Sequence, residues 1–139
     1  MSRSIDANIQ KMIEASPIAS WLGFSASHFG EQNIYRLAFD EKHIGNPAIR
    51  ALHGGAIATF LEVAAQCELV GGLDTGASIK TINADINYLA SSRAQAMEGS
   101  ATITRLGRRI AFVEATGWQQ SADRPVAKGM FRFRIGTDN

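Results

Sequence analysis

HGGAIATFLEVAAQCELVGG, residues 53–72, is the stretch whose reading decides the fold. Ala56, Ile57, Ala58, Phe60, Leu61, Val63, Ala64, Ala65, Cys67, Leu69 and Val70 fall on nearly every side of a helix running from Gly54 to about Val70. The pair Gly71-Gly72 closes it. A helix that is apolar all round has to be buried all round. No run in the chain approaches 18 apolar residues, so this one is a core helix and not a membrane span. The rest of the chain must therefore wrap it.

The flanks read as the wrapping. Before the helix, Ile5, Ile9, Met12 and Ile13 fall at helical spacing and Ser16-Pro17 ends that run, giving a short helix over 4–15. Residues 21–29 and 33–39 read as strands joined by a turn at 30–32. Residues 40–53 are irregular, with Gly45, Asn46 and Pro47 as breakers. After the helix, Ile82, Ala84, Ile86 and Tyr88 alternate with Thr81, Asn83, Asp85 and Asn87, the period-2 pattern of a half-buried strand that Thr81 opens. Residues 94–105, 109–119 and 125–135 follow as three more strands with hairpin-length links. In the last, Ala127, Gly129, Phe131, Phe133 and Ile135 face one way while Lys128, Arg132 and Arg134 face the other. The expected class is α+β, an antiparallel sheet whose buried face covers one long helix.

Composition narrows the function classes. A length of 139 residues fits one domain spanning 1–139, and 45% apolar residues with 19% charged exclude disorder and coiled coil. The net charge of +1 gives no global field for nucleic acid or an anionic membrane surface. A lone Cys67 excludes an intrachain disulfide and a multi-cysteine zinc site. Residues 1–12 are too polar for a signal peptide. A cytoplasmic protein is expected.

Against the apolar helix, Glu62 stands out, with Ala58, Thr59, Ala65, Gln66 and Leu69 as its neighbours on the helix surface. Thr59, Glu62 and Gln66 can be a thin solvated stripe. They can equally hold a carboxylate in a mostly apolar seam, suited to general-base or nucleophilic work. His53-Gly54-Gly55 opens the helix, where unpaired first-turn N–H groups and small residues can polarise a carbonyl, or simply start a helix. Asn46 reads as a turn initiator. Arg93, Arg105, Arg108 and Arg109 are either solvated charges near strand ends or a site for ligand phosphates. His28 and His43 read as surface or turn residues, and Cys67 as a small core residue. The sequence carries no phosphate loop, no Gly-x-Ser-x-Gly elbow and no cluster at metal spacing.

Taken in order, Gly45-Asn46-Pro47, Leu52-His53-Gly54-Gly55-Ala56, Leu61-Glu62, TINADINYL at 81–89 and RLGRRIAF at 105–112 resemble the hotdog-fold acyl-CoA thioesterases. The nearest subgroup is the phenylacetic-acid-pathway type of the 4-hydroxybenzoyl-CoA thioesterase superfamily, over roughly residues 15–136. The resemblance implies a curved antiparallel sheet around one helix, self-association as a homodimer or dimer of dimers, and a coenzyme A thioester as substrate, with no metal or redox cofactor. It implies that Glu62 activates water or attacks the thioester, and that the Gly54 N–H polarises the carbonyl with help from Asn46. It further implies that His53 positions substrate or water, and that Thr81 orients Glu62. Coenzyme A phosphates would fall to Arg93, Arg108 and Arg109. Dehydratases of the same fold carry their His in a Gly-His-Phe-Pro segment that this chain lacks. A non-catalytic module binding acyl-CoA or another apolar ligand is the alternative.

Overall fold

The computed structural model describes residues 5–73 and 77–137. The first helix, α1 (Ala7–Ala15), begins later than the expected residue 4, and residue 4 itself lies outside the described residues. The start is set by Asp6, whose carboxylate accepts the N–H groups of Asn8 (2.8 Å) and Ile9 (3.3 Å) and so caps the first turn. Residues 17–22 then depart from the sequence reading, which started a strand at Trp21. They form a second helix, α2 (Pro17–Leu22). Pro17 sits in its first turn, the Ser16 hydroxyl accepts from Ala19 N–H, and Gly23 at φ 64° closes it in the left-handed conformation. These are start and stop signals of a helix too short to show periodicity.

The strands are β1 (Phe24–Phe29), β2 (Gln32–Leu37), β3 (Ile44–Asn46), β4 (Ala51–Leu52), β5 (Ala77–Tyr88), β6 (Met97–Leu106), β7 (Ile110–Trp118) and β8 (Ala127–Thr137), with the central helix α3 (Gly54–Gly71) between β4 and β5. Six of them form one antiparallel sheet in the order β1-β2-β6-β7-β8-β5. Its inner face carries Tyr35, Leu37, Met97, Ala111, Val113, Ala127, Phe131 and Phe133, all buried with Phe60, Leu61, Ala64 and Leu69 of α3 in one core. Gly99 keeps that contact close, since a Cβ there would lie 3.0 Å from the Phe60 ring and 2.9 Å from the Thr116 carbonyl oxygen. This is the hotdog architecture.

Two corrections concern the segment before α3. The stretch read as irregular holds a 3-10 turn (Glu41–His43) and the β3–β4 ribbon, in which Ile44 faces Leu52 and Asn46 faces Ala51. Arg50, at φ 54°, closes the ribbon's turn and grips Glu41 through both guanidinium nitrogens at 2.6 and 2.8 Å. His43, expected at the surface, is 1% exposed. Its Nε2 bonds the Trp21 carbonyl at 2.9 Å, and its ring stands edge-on to that indole.

Two β-bulges change which face side chains occupy. In β5 the register slips between Thr81 and Asn83, so Thr81 opposes Phe133 while Asn83 opposes Arg132. Strict alternation would place Thr81 with Asn83, on the face away from Ile82. The bulge instead turns Thr81 inward with Ala84, Ile86 and Tyr88 and leaves Ile82 half exposed. Thr81 also lies within the strand, which begins four residues earlier, at Ala77. A second slip between Ile103 and Arg105 sets Arg105 opposite Phe112. Among the described residues no helix is long and apolar enough to cross a membrane.

Candidate active site

The site starts from the way α3 begins. His53 is the N-cap, and its Nδ1 accepts the Gly55 N–H at 2.9 Å. That bond puts the ring proton on Nε2, which makes the free edge of His53 a donor. The His53 carbonyl takes the N–H groups of Ala56 (3.0 Å) and Ile57 (3.1 Å). Gly54 is thus the one first-turn residue whose N–H has no acceptor among the described residues. It is exposed at the positive end of an 18-residue helix. The position is held from both sides. The His53 N–H bonds the His43 carbonyl at 2.7 Å, and the Tyr88 hydroxyl donates to the Gly54 carbonyl at 2.8 Å.

Glu62 lies two turns along the same helix, in a half-buried seam with Ala58, Thr59 and Gln66. Its Oε2 accepts the Thr81 hydroxyl at 2.9 Å and, more weakly, the Gln66 amide at 3.5 Å. Its Oε1 has no partner among the described residues. One oxygen is thus held by Thr81, and the other makes no bond among the described residues. The other helix acid, Glu68, is committed differently: its Oε1 takes the Tyr35 hydroxyl at 2.7 Å and the Asn33 amide at 3.2 Å. Burial, with Glu68 next to it, raises the Tyr35 pKa far above its ordinary value. Cys67 is fully buried, as expected of a core residue.

The structure thus brings together Glu62 with Thr81, and His53 with Gly54. It does not bring the two pairs together. Eight residues at 1.5 Å per residue separate Gly54 from Glu62 by about 12 Å along one axis. Asn46 sits on the exposed ribbon opposite Ala51, its Oδ1 accepting the Ala48 N–H at 3.1 Å. Arg108 and Arg109 stand at the β6–β7 turn. Arg93 precedes β6 at the other end, roughly 30 Å away along the strand. There the Gln119 side chain bonds both its N–H and its carbonyl.

Sequence reasoning missed two residues of the site. Tyr88 closes the alternating strand, but its reach to Gly54 depends on where α3 starts. In the sequence Gly45 reads as a breaker and as part of the Gly45-Asn46-Pro47 run, with no sign of a contact to His53. A Cβ on it would lie 2.7 Å from the His53 Cα, so it is the space into which His53 fits.

On a helix wrapped by an antiparallel sheet, the unpaired Gly54 N–H can polarise a carbonyl and the Glu62 carboxylate can activate water. The thioesterase superfamily profile matches residues 50–126, and the chain belongs to that family. It is a thioester hydrolase. No curated protein sequence matches the chain. Among solved structures, a Bacillus halodurans protein with CoA superposes with a TM-score of 0.79 at 24% identity, over 94% of this chain and 85% of that one. A phenylacetic acid degradation-related protein from Ralstonia eutropha gives 0.79 at 20% identity, over 91% and 98%. A thioesterase from Haemophilus influenzae gives 0.78 at 20%, over 97% and 92%.

Proposed function

We propose that the chain hydrolyses an acyl-CoA thioester to a free acid and coenzyme A, in the cytoplasm, at a site completed by a second copy of itself. One observation carries this: Gly54 keeps a free N–H and Glu62 a free Oε1, yet one straight helix holds them about 12 Å apart. Water activated by Glu62 must come within about 3–3.5 Å of the carbonyl carbon that the Gly54 N–H polarises. A two-fold axis solves the problem. Strand β5 ends the sheet with its outer edge unpaired among the described residues, and Tyr88 and Thr81 tie Gly54 and Glu62 to that same strand. A second β5 running antiparallel along this edge sets the start of each helix beside the middle of the other.

In the resulting step, the Glu62 carboxylate of one copy takes a proton from water as the oxygen attacks the thioester carbon. The carbonyl oxygen becomes an oxyanion on the partner copy's Gly54 N–H. Collapse breaks the C–S bond, and the proton held by Glu62 passes to the departing sulfur. Direct attack by Glu62, through an anhydride that water then opens, uses the same geometry. Thr81 is a positioning residue for Glu62. In this reading the His53 Nε2–H positions substrate or water, and the Asn46 amide assists the Gly54 N–H in polarising the carbonyl. The reaction transfers an acyl group to water and requires neither a metal nor a redox cofactor. Arg108 and Arg109 carry the coenzyme A phosphates, which Arg93 can join only from another copy.

The test is thiol release from a panel of short, medium, long and aryl acyl-CoA substrates, with Glu62→Gln beside the wild type. Loss of general-base catalysis lowers turnover about 100- to 10,000-fold in a protein that still folds. A folded wild type that binds acyl-CoA but releases no thiol is a binding module, and the proposal fails.

A further inference from the structure

The side chain of His43 is buried and has no part in the step at Glu62, yet three groups of this residue are bonded to the segments around the site. Its ring Nε2–H donates to the Trp21 carbonyl near the end of α2. Its N–H donates to the Asp40 carbonyl at 2.9 Å, and its carbonyl accepts the His53 N–H at 2.7 Å. Its Nδ1 has no partner among the described residues. Because the Trp21 carbonyl can only accept, Nε2 carries the hydrogen and Nδ1 is a bare acceptor. A buried acceptor without a donor is costly, and an all-carbon side chain of similar size would avoid that cost. The contribution of the ring therefore lies at its Nε2 end.

Capping α2 does not account for it. Gly23 already closes that helix, its N–H reaching the Ala19 and Ser20 carbonyls. Helix α2 is instead the fixed end of the bond. Ala19 and Leu22 are buried in the core. Trp21 is held between the edge of the His43 ring, 4.9 Å between centroids, and the Lys42 ammonium, 5.6 Å from its own centroid. The other end of the bond is the entry to α3. There the Leu52 N–H donates to the buried Ser92 hydroxyl at 3.0 Å, and the His53 N–H donates to His43. Two consecutive amides are thus anchored, one to the link between β5 and β6 and one, through His43, to α2. The next amide in the chain is the free N–H of Gly54.

We propose that His43 is a positioning residue of the site: its ring pins the ribbon to α2, and its carbonyl thereby sets His53 and the free Gly54 N–H. That this placement serves thioester hydrolysis rests on the function proposed above, whereas the placement itself is read without substrate. The experiment records amide spectra of the 15N-labelled full chain, melting curves, and thiol release from an acyl-CoA. His43→Leu removes the donor at similar size. Its Gly54 and Gly55 amide peaks should move, and kcat should fall about 10-fold with KM within about twofold, less than the roughly 100-fold of a full 1 Å misplacement. His43→Gln, whose amide reaches about as far as Nε2, should restore the peaks and most of kcat. Met12→Ala, which truncates a side chain of α1 packed against the core, should melt earlier but keep the wild-type peaks and kcat. If His43→Leu does not fold, His43→Asn, too short to reach the Trp21 carbonyl, carries the same expectation. A folded His43→Leu or His43→Asn protein with wild-type Gly54 peak and kcat overturns the pin, and so does His43→Gln falling as far as they do. A His43-dependent Gly54 peak in a protein whose wild type releases no thiol upholds the placement and refutes the proposed function. Thiol release with a Gly54 peak indifferent to His43 does the reverse.

Discussion

Gly45→Ala perturbs the site through a single methyl group. The added Cβ would stand 2.7 Å from the His53 Cα, 3.0 Å from its Cβ and 3.1 Å from its Cγ. Ordinary carbon contacts are about 3.5–4.0 Å, so His53 and the ribbon must part by about 1 Å. His53 cannot yield alone. Its N–H is bonded to His43, its ring to Gly55, and its carbonyl to Ala56 and Ile57, so the shift carries into the first turn of α3 and the Gly54 N–H. Overpacking of this kind costs about 1–3 kcal/mol of stability. A misplacement of about 1 Å at a reacting centre costs about 100-fold in rate. Gly45→Ala should therefore melt at a modestly lower temperature by circular dichroism, with kcat for thioester hydrolysis down about 100-fold. A folded Gly45→Ala protein with kcat within twofold of the wild type refutes the reasoning that the His53 cap places the helix-start amide.

Thr81→Val keeps the shape of the side chain and removes the hydroxyl bonded to Glu62. It should lose about 1 kcal/mol of stability and about 10-fold in kcat, while Thr81→Ser retains most of both; equal rates for the Val and Ser variants would remove Thr81 from the site. Cys67 is held as the neutral thiol because burial, with Glu68 nearby, lifts its pKa from 9.0 to about 12. A native sample at pH 8 should then leave a thiol reagent unconsumed until denaturant is added, and rapid native labelling would contradict the burial. The raised value also fixes a sign. The folded state holds the proton more tightly, so this contribution to stability is complete below pH 9 and is lost as pH rises from 9 toward 12. Tyr35 shifts in the same direction, so melting temperature should fall through that window, and Cys67→Ala should flatten the fall.

The parts of the fold that repeat were legible in the chain. The all-round apolar pattern of residues 56–70 identifies a buried helix, and alternation in 127–135 assigns each side chain of β8 to the face it occupies. What does not repeat was hidden. The helix at 17–22 has caps but too few turns for a period. His43 looks like any polar turn residue until its bond to the Trp21 carbonyl is seen. A bulge adds one residue without a marker in sequence, so alternation put Thr81 on the wrong face even though the family resemblance paired it with Glu62. Within the site, Glu62 is visible because a carboxylate on an apolar helix is anomalous. Tyr88 and Gly45 act through contacts 34 and 8 residues away in the chain, which no local pattern encodes.

The central claim is a site shared between two chains, and subunit complementation tests it most directly. Glu62→Gln lacks the base. Gly54→Val fills the space beside the free N–H, where even a Cβ would lie 3.4 Å from the Tyr88 hydroxyl. Each protein alone should be inactive. After equal mixing and verified exchange, half of the dimers are mixed, and each of these holds one intact site, so activity should rise from near zero to about a quarter of the wild type. Verified exchange that restores nothing, or a stable monomer with full activity, would contradict the shared site.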